Sequence, residues 1–173
     1  MEKQYSEIRP LMKSGDCLLW RSSSLLGRLI RVWSKDFNHA SIVLSLDAYR
    51  NLKDRRWQLE ALEHGTVLTL ISRRLEGFRG EVWWYPVKEI YDQNRGLAES
   101  WALDHVGVGY DYQSLFRQAF ATVSANANRL FCSEYFYLAW SYATGSDFGM
   151  QKAPMPGDIP RMGIFDKPVK IAG

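Results

Sequence analysis

The chain has 173 residues, a formal net charge of +3 and 46% hydrophobic content, which suits one domain spanning residues 1–173 and is short for two. Lys and Arg are scattered apart from the pairs Arg55-Arg56 and Arg73-Arg74, a pattern that fits a solvated surface and not a nucleic-acid-binding stripe. Two cysteines do not make a disulfide framework, and no Cys-x-x-Cys or His-x-x-x-His spacing points to zinc, so neither metal nor cofactor is expected.

The first ten residues, Met1 to Pro10, include acidic side chains and lack an apolar stretch. They do not form a signal peptide as written, which makes the chain cytoplasmic unless a signal has been removed. No apolar run approaches the ~20 residues of a membrane span. Gly15-Asp16 opens a first strand, Cys17-Leu18-Leu19-Trp20, in which Cys17 is expected to be buried and structural. Ser22-Ser23-Ser24 offers N-caps for a helix through about Trp33, with Leu25, Leu26, Leu29, Ile30 and Trp33 at helical period. A loop follows to Asn38. The segment His39 to Leu46 alternates, with Ala40, Ile42, Leu44 and Leu46 on one face and His39, Ser41, Val43 and Ser45 on the other. Further strands are expected at Trp57–Leu62, Thr66–Ile71 and Glu81–Val87, with a turn at His64-Gly65. Pro86 has no N–H and belongs at an edge or a strand end.

The second half turns helical. Asn94 to Val106 carries Leu97, Ala98, Trp101, Ala102 and His105 on one stripe, with Gly107 as a stop. Asp111 can cap a helix bearing Leu115, Phe116, Ala119, Phe120 and Val123. A last helix is expected to start at Cys132 and end near Gly145, and Pro154 to Pro160 reads as extended and irregular. Strands followed by helices argue for an α+β fold, a small antiparallel sheet packed against helices.

The chemistry centres on Cys132, in the run Arg129-Leu130-Phe131-Cys132-Ser133-Glu134-Tyr135-Phe136. A helix N-terminus would favour thiolate over thiol through unpaired N–H groups and the helix dipole. A small buried hydrophobe is the plainer use of a lone cysteine. A nucleophile also needs a base and a group to orient that base. Of three histidines, His105 lies on an inner helical stripe and reads as packed or capping, and His64 sits at an exposed turn. His39 begins a strand after a polar loop, a rigid place from which to project a base. Glu60 on the next strand shares a face with Gln58, and a carboxylate in an apolar strand needs a partner. Glu63 is the rival acid.

Taken in order, Gly15-Asp16, Asn38-His39-Ala40-Ser41-Ile42-Val43, Leu59-Glu60-Ala61, Gly109-Tyr110-Asp111 and Phe131-Cys132-Ser133-Glu134 resemble the YiiX-like branch of the NlpC-type cysteine peptidase superfamily. Those proteins are circularly permuted papain folds, in which the histidine precedes the cysteine. The lecithin-retinol-acyltransferase-like group shares that arrangement. The resemblance runs from about Gly15 to Ile159, where Pro156-Gly157-Asp158-Ile159 is similar to a late family segment. It implies Cys132 as nucleophile, His39 as general base and then acid, Glu60 as the orienting group and Tyr110 as a residue lining the site and aiding the oxyanion. The backbone N–H of Cys132 is a second oxyanion donor candidate. Asn38 departs from the small hydroxyl residue usual before the histidine, and the family's frequent secretory signal is missing. The expected activity is hydrolysis of an amide through a thioester, with a peptidoglycan stem peptide as the substrate that the resemblance implies. Two alternatives stand beside it: a lipid or thioester acyl hydrolase or acyltransferase with the same triad, marked by an apolar channel beside Cys132, and a non-enzymatic binding module on a decayed site.

Overall fold

Side-chain alternation along the strands explains the architecture. In β1 (Cys17–Ser22) Cys17 and Leu19 enter one buried cluster, and Leu18 and Trp20 enter another. A strand that is apolar on both faces must be covered on both. The computed structural model, which describes residues 2–23, 36–47, 49, 51–62, 65–106, 127–150 and 154–173, supplies both covers. One is made by α1 (Glu2–Ile8) through Tyr5 and by α2 (Ile71–Leu75) through Ile71 and Leu75. The other is made by α3 (Asp92–Asp104) through Ala98 and Ala102, and by α4 (Ala127–Thr144) through Tyr135, Phe136, Ala139, Trp140 and Ala143.

Between the two layers lie β1, β2 (His39–Leu44), β3 (Trp57–Leu62), β4 (Gly65–Leu70), β5 (Gly80–Tyr85) and β6 (Val169–Ala172). They form a sheet in the order β4-β3-β2-β1-β5-β6, and every neighbouring pair is antiparallel. The fold is α+β, an antiparallel sheet packed against helices, as the sequence led us to expect.

The bounds of β3 coincide with the expected ones, and Pro86 falls directly after β5. β2 stops at Leu44, two residues early. Among the described residues, α1, α2 and β6 carry no sequence signal that was recognised. Pro156–Met162 forms a 3-10 helix where an irregular segment was expected. Proline at its first position has a preset φ, the Asp158 carboxylate accepts from the Met155 N–H at 3.3 Å, and Ile159 and Met162 anchor it in the core. The helix expected from Ser22 to Trp33, Gly107, and the helix expected after Asp111 lie outside the described residues, apart from Ser22 and Ser23. Among the described residues no helix is long and apolar enough to cross a membrane.

Candidate active site

The site is built on a split in the sheet. β2 pairs with β1 from Ile42 opposite Cys17 as far as His39 opposite Trp20. Its pairing with β3 covers only Ile42–Leu59, Val43–Gln58 and Leu44–Trp57. Beyond Ile42 the two strands part, leaving Ala40 and His39 on one side of the notch and Glu60 on the other. The Ala40 N–H, no longer tied into the ladder, donates to the sulfur of Cys132 on α4. His39 bridges the notch. Its Nε2 stands 2.8 Å from Glu60 Oε2, which leaves the other ring nitrogen for its hydrogen bond to Cys132.

These contacts set the charges. Burial alone would raise the Cys132 thiol, but the charge and hydrogen bond of His39, with backbone donors at Ala40 and Ser133, hold it below the ordinary range. Burial would lower His39, yet the Cys132 sulfur and the Glu60 carboxylate outweigh that and raise the imidazole to about 9. A lowered thiol and a raised imidazole both favour the proton on His39 over the Cys132 sulfur.

Burial likewise opposes ionisation of Glu60, only 1% exposed. The hydrogen bond and charge of His39, then Arg74 and Thr69, overcome it and bring the carboxyl down to about 2. Its Oε1 accepts from Gln58 Nε2 at 2.9 Å and from Thr69 Oγ1 at 3.1 Å. Arg74 Nε lies 3.3 Å from Oε1 and 3.4 Å from Oε2. A carboxylate has about four acceptor positions, and here they are filled.

The structure thus brings Cys132, His39 and Glu60 together. Tyr110, the rival Glu63 and His64 lie outside the described residues. His105 is the C-cap of α3, its ring 4.1 Å from that of Trp101, which matches the packed or capping reading. Cys17 is buried in the core, its thiol pushed well up by burial and next by Asp16. Glu134 is a further buried carboxyl, pushed up to about 7 by burial, with no hydrogen-bond partner for Oε1. It follows Cys132 by two helical positions, a rotation of roughly 200°, so it points away from the sulfur.

One expectation is overturned. α4 begins at Ala127, so Cys132 is its sixth residue and not its first. Only the first four N–H groups of a helix are unpaired. The Cys132 N–H is therefore committed to the helix and is not available as an oxyanion donor, and the dipole at the first turn is not what lowers the thiol. His39 and the Ala40 N–H take that part. Sequence reasoning missed Ala40, Thr69 and Arg74. Gln58 was visible as the face-mate of Glu60; nothing in the sequence singled out Arg74.

No protein family and no curated protein matches the chain. Among solved structures it is similar to the metalloprotein YiiX from Escherichia coli O157:H7, with a TM-score of 0.56, 19% identity and coverage of 81% of this chain and 71% of that one. The chain has a YiiX-like fold. At that identity the likeness concerns architecture. In this chain the strand with His39 precedes the helix with Cys132.

Proposed function

We propose that the chain is a cysteine hydrolase cleaving an amide bond through Cys132, His39 and Glu60. The observation that carries this reading is His39 held between the Glu60 carboxylate at 2.8 Å and the Cys132 sulfur. The order of histidine strand and cysteine helix, and the YiiX-like fold, support placing it with the permuted NlpC-type peptidases. The Cys132 thiolate adds to the carbonyl carbon. The His39 imidazolium gives its proton to the leaving nitrogen, the C–N bond breaks, and a thioester remains. Neutral His39 then takes a proton from water, the resulting hydroxide equivalent attacks the thioester, and the C–S bond breaks to release the acid and the thiolate. Glu60 holds the ring orientation and stabilises the imidazolium. Tyr110 is assigned to the oxyanion side by resemblance. A peptidoglycan stem-peptide amide is the proposed substrate, on the same ground.

YiiX is described as a metalloprotein. Among the described residues of this chain no three His, Cys, Asp or Glu side chains are grouped to hold a metal ion. Glu60 is filled by His39, Gln58, Thr69 and Arg74. Among the described residues, the Glu60 carboxylate therefore has no acceptor position left for a metal ion.

An acyl hydrolase for lipids or thioesters is the second reading, favoured by a row of aromatic rings. Phe37 packs edge-on to Tyr85 at 6.1 Å and Tyr85 edge-on to Phe165 at 5.6 Å, while Phe165 and Phe136 lie tilted to each other at 5.8 Å. The row starts two residues before His39 and ends one turn after Cys132.

Soluble peptidoglycan fragments incubated with the protein and followed by mass spectrometry test the proposal. Turnover is expected, abolished by Cys132→Ala and nearly so by His39→Ala, because the residues act as a unit. Glu60→Gln should lose roughly 10- to 100-fold, since an amide still holds the ring but brings no charge. Cleavage of fatty-acyl esters or thioesters alone would select the second reading.

A further inference from the structure

We infer that Arg74 is a positioning residue for His39, bracing the Glu60 carboxylate from the far side of the sheet and balancing the charge of the site. The inference rests on the hydrolase reading but concerns a side chain outside the triad.

Trp20 belongs to the cluster under α1 and α2, and α4 packs on the opposite face. The Arg74 guanidinium sits 5.2 Å over the Trp20 ring. Trp20 Nε1 donates to Ser41 Oγ at 3.1 Å, and Ser41 Oγ donates to Gln58 Oε1 at 2.9 Å. Gln58 Nε2 then donates to Glu60 Oε1 at 2.9 Å, and Arg74 Nε closes the loop at 3.3 Å. Each side chain in this loop touches the next, which restrains the carboxylate. An ion pair between two exposed side chains contributes little. Here Arg74 is 38% exposed but its partner is buried at 1%, and the carboxylate transmits the arginine's charge to the imidazole.

The charge count shows what that does. The groups facing one another among the described residues are Cys132 from α4, His39 from β2, Glu60 from β3 and Arg74 from α2, with Cys17 of β1 neighbouring as a neutral thiol. Thiolate, imidazolium, carboxylate and guanidinium sum to zero. Without Arg74 the same state carries one net negative charge. A cluster left negative binds protons more tightly, so the thiolate forms at higher pH and the imidazolium persists to higher pH.

The test uses the intact protein, Arg74→Met and Arg74→Lys. Methionine keeps an aliphatic stem over Trp20 without charge, and lysine restores the charge. The His39 ring is titrated by NMR, and the pH dependence of Cys132 alkylation by iodoacetamide is followed by peptide mass spectrometry. Arg74→Met should move both midpoints up by about half a pH unit, and Arg74→Lys should return them to the parent values. Unmoved midpoints in Arg74→Met, or equal displacement in Arg74→Lys, would overturn the inference. Neither measurement needs a substrate. Failure of the parent protein to cleave any fragment would count against the hydrolase reading alone.

Discussion

The two cysteines of this chain experience opposite electrostatics although both are buried. Among the described residues Cys17 has only the Ser41 backbone as a donor; burial and the Asp16 charge push its thiol up. Cys132 has His39 and the Ala40 N–H. Burial is the largest influence on both, so exposure does not separate them; the partners do. Iodoacetamide at pH 7 should therefore modify Cys132 at least about tenfold faster than Cys17. The sign of the pH dependence follows from the two shifts. The Cys132 thiol is lowered, so its alkylation should persist below the pH at which a free thiol becomes unreactive. The imidazolium partner is lost as pH rises through about 9, above which the remaining thiolate is unpaired. Equal labelling of the two cysteines, read by peptide mass spectrometry, would remove the basis for the nucleophile assignment.

At the scale of elements, the sequence carried what is periodic and local. The alternation in His39–Leu44 put His39 opposite the apolar stripe, and Glu60 could be read as a carboxylate needing a partner. What could not be read is where two strands part. The notch depends on the register of β2 on β3 ending at Ile42, which is a property of the pair and of neither strand alone. α2 has five residues and β6 four, too few to show a period. The start of α4 was misplaced because Cys132 opens a strongly patterned stretch, while the first turn from Ala127 has no such pattern. How α4 is seated also rests on one backbone position. Gly15 has φ +87°, its carbonyl accepts from Trp140 Nε1 at 2.9 Å, and a Cβ there would stand 2.9 Å from the Trp140 ring. Gly15→Ala should therefore cost about 1–3 kcal/mol through left-handed strain and displacement of the indole, measured as a lower midpoint in urea. A midpoint unchanged within error would mean that Trp140 and the start of β1 adjust freely.

At the scale of the molecule, one buried ion pair joins the start of β1, the end of β5 and α3. Asp16 Oδ1 accepts from Val87 N–H and from Arg95 Nη1, each at 2.9 Å, and Oδ2 accepts from Trp84 Nε1 at 2.8 Å and Lys13 N–H at 2.9 Å. Arg95 uses its remaining donors on Asp92 Oδ1 at 2.6 Å, Ser14 O at 2.7 Å and Val87 O at 2.6 Å. The side chains are 1% and 10% exposed. Such a pair gains little net energy over an apolar replacement, yet removing one partner strands the other's charge. Arg95→Met should cost about 3–5 kcal/mol for that reason. Adding Asp16→Asn to it should cost less than the two single changes summed, because no unpaired charge is then buried. Urea unfolding of the two single variants and the double variant measures this directly. Strict additivity would show that the two side chains act independently. The pair lies outside the hydrogen-bond network around Cys132. Folded Arg95→Met, held well below its unfolding midpoint, should thus alkylate Cys132 at the parent rate, which separates loss of the scaffold from loss of the site.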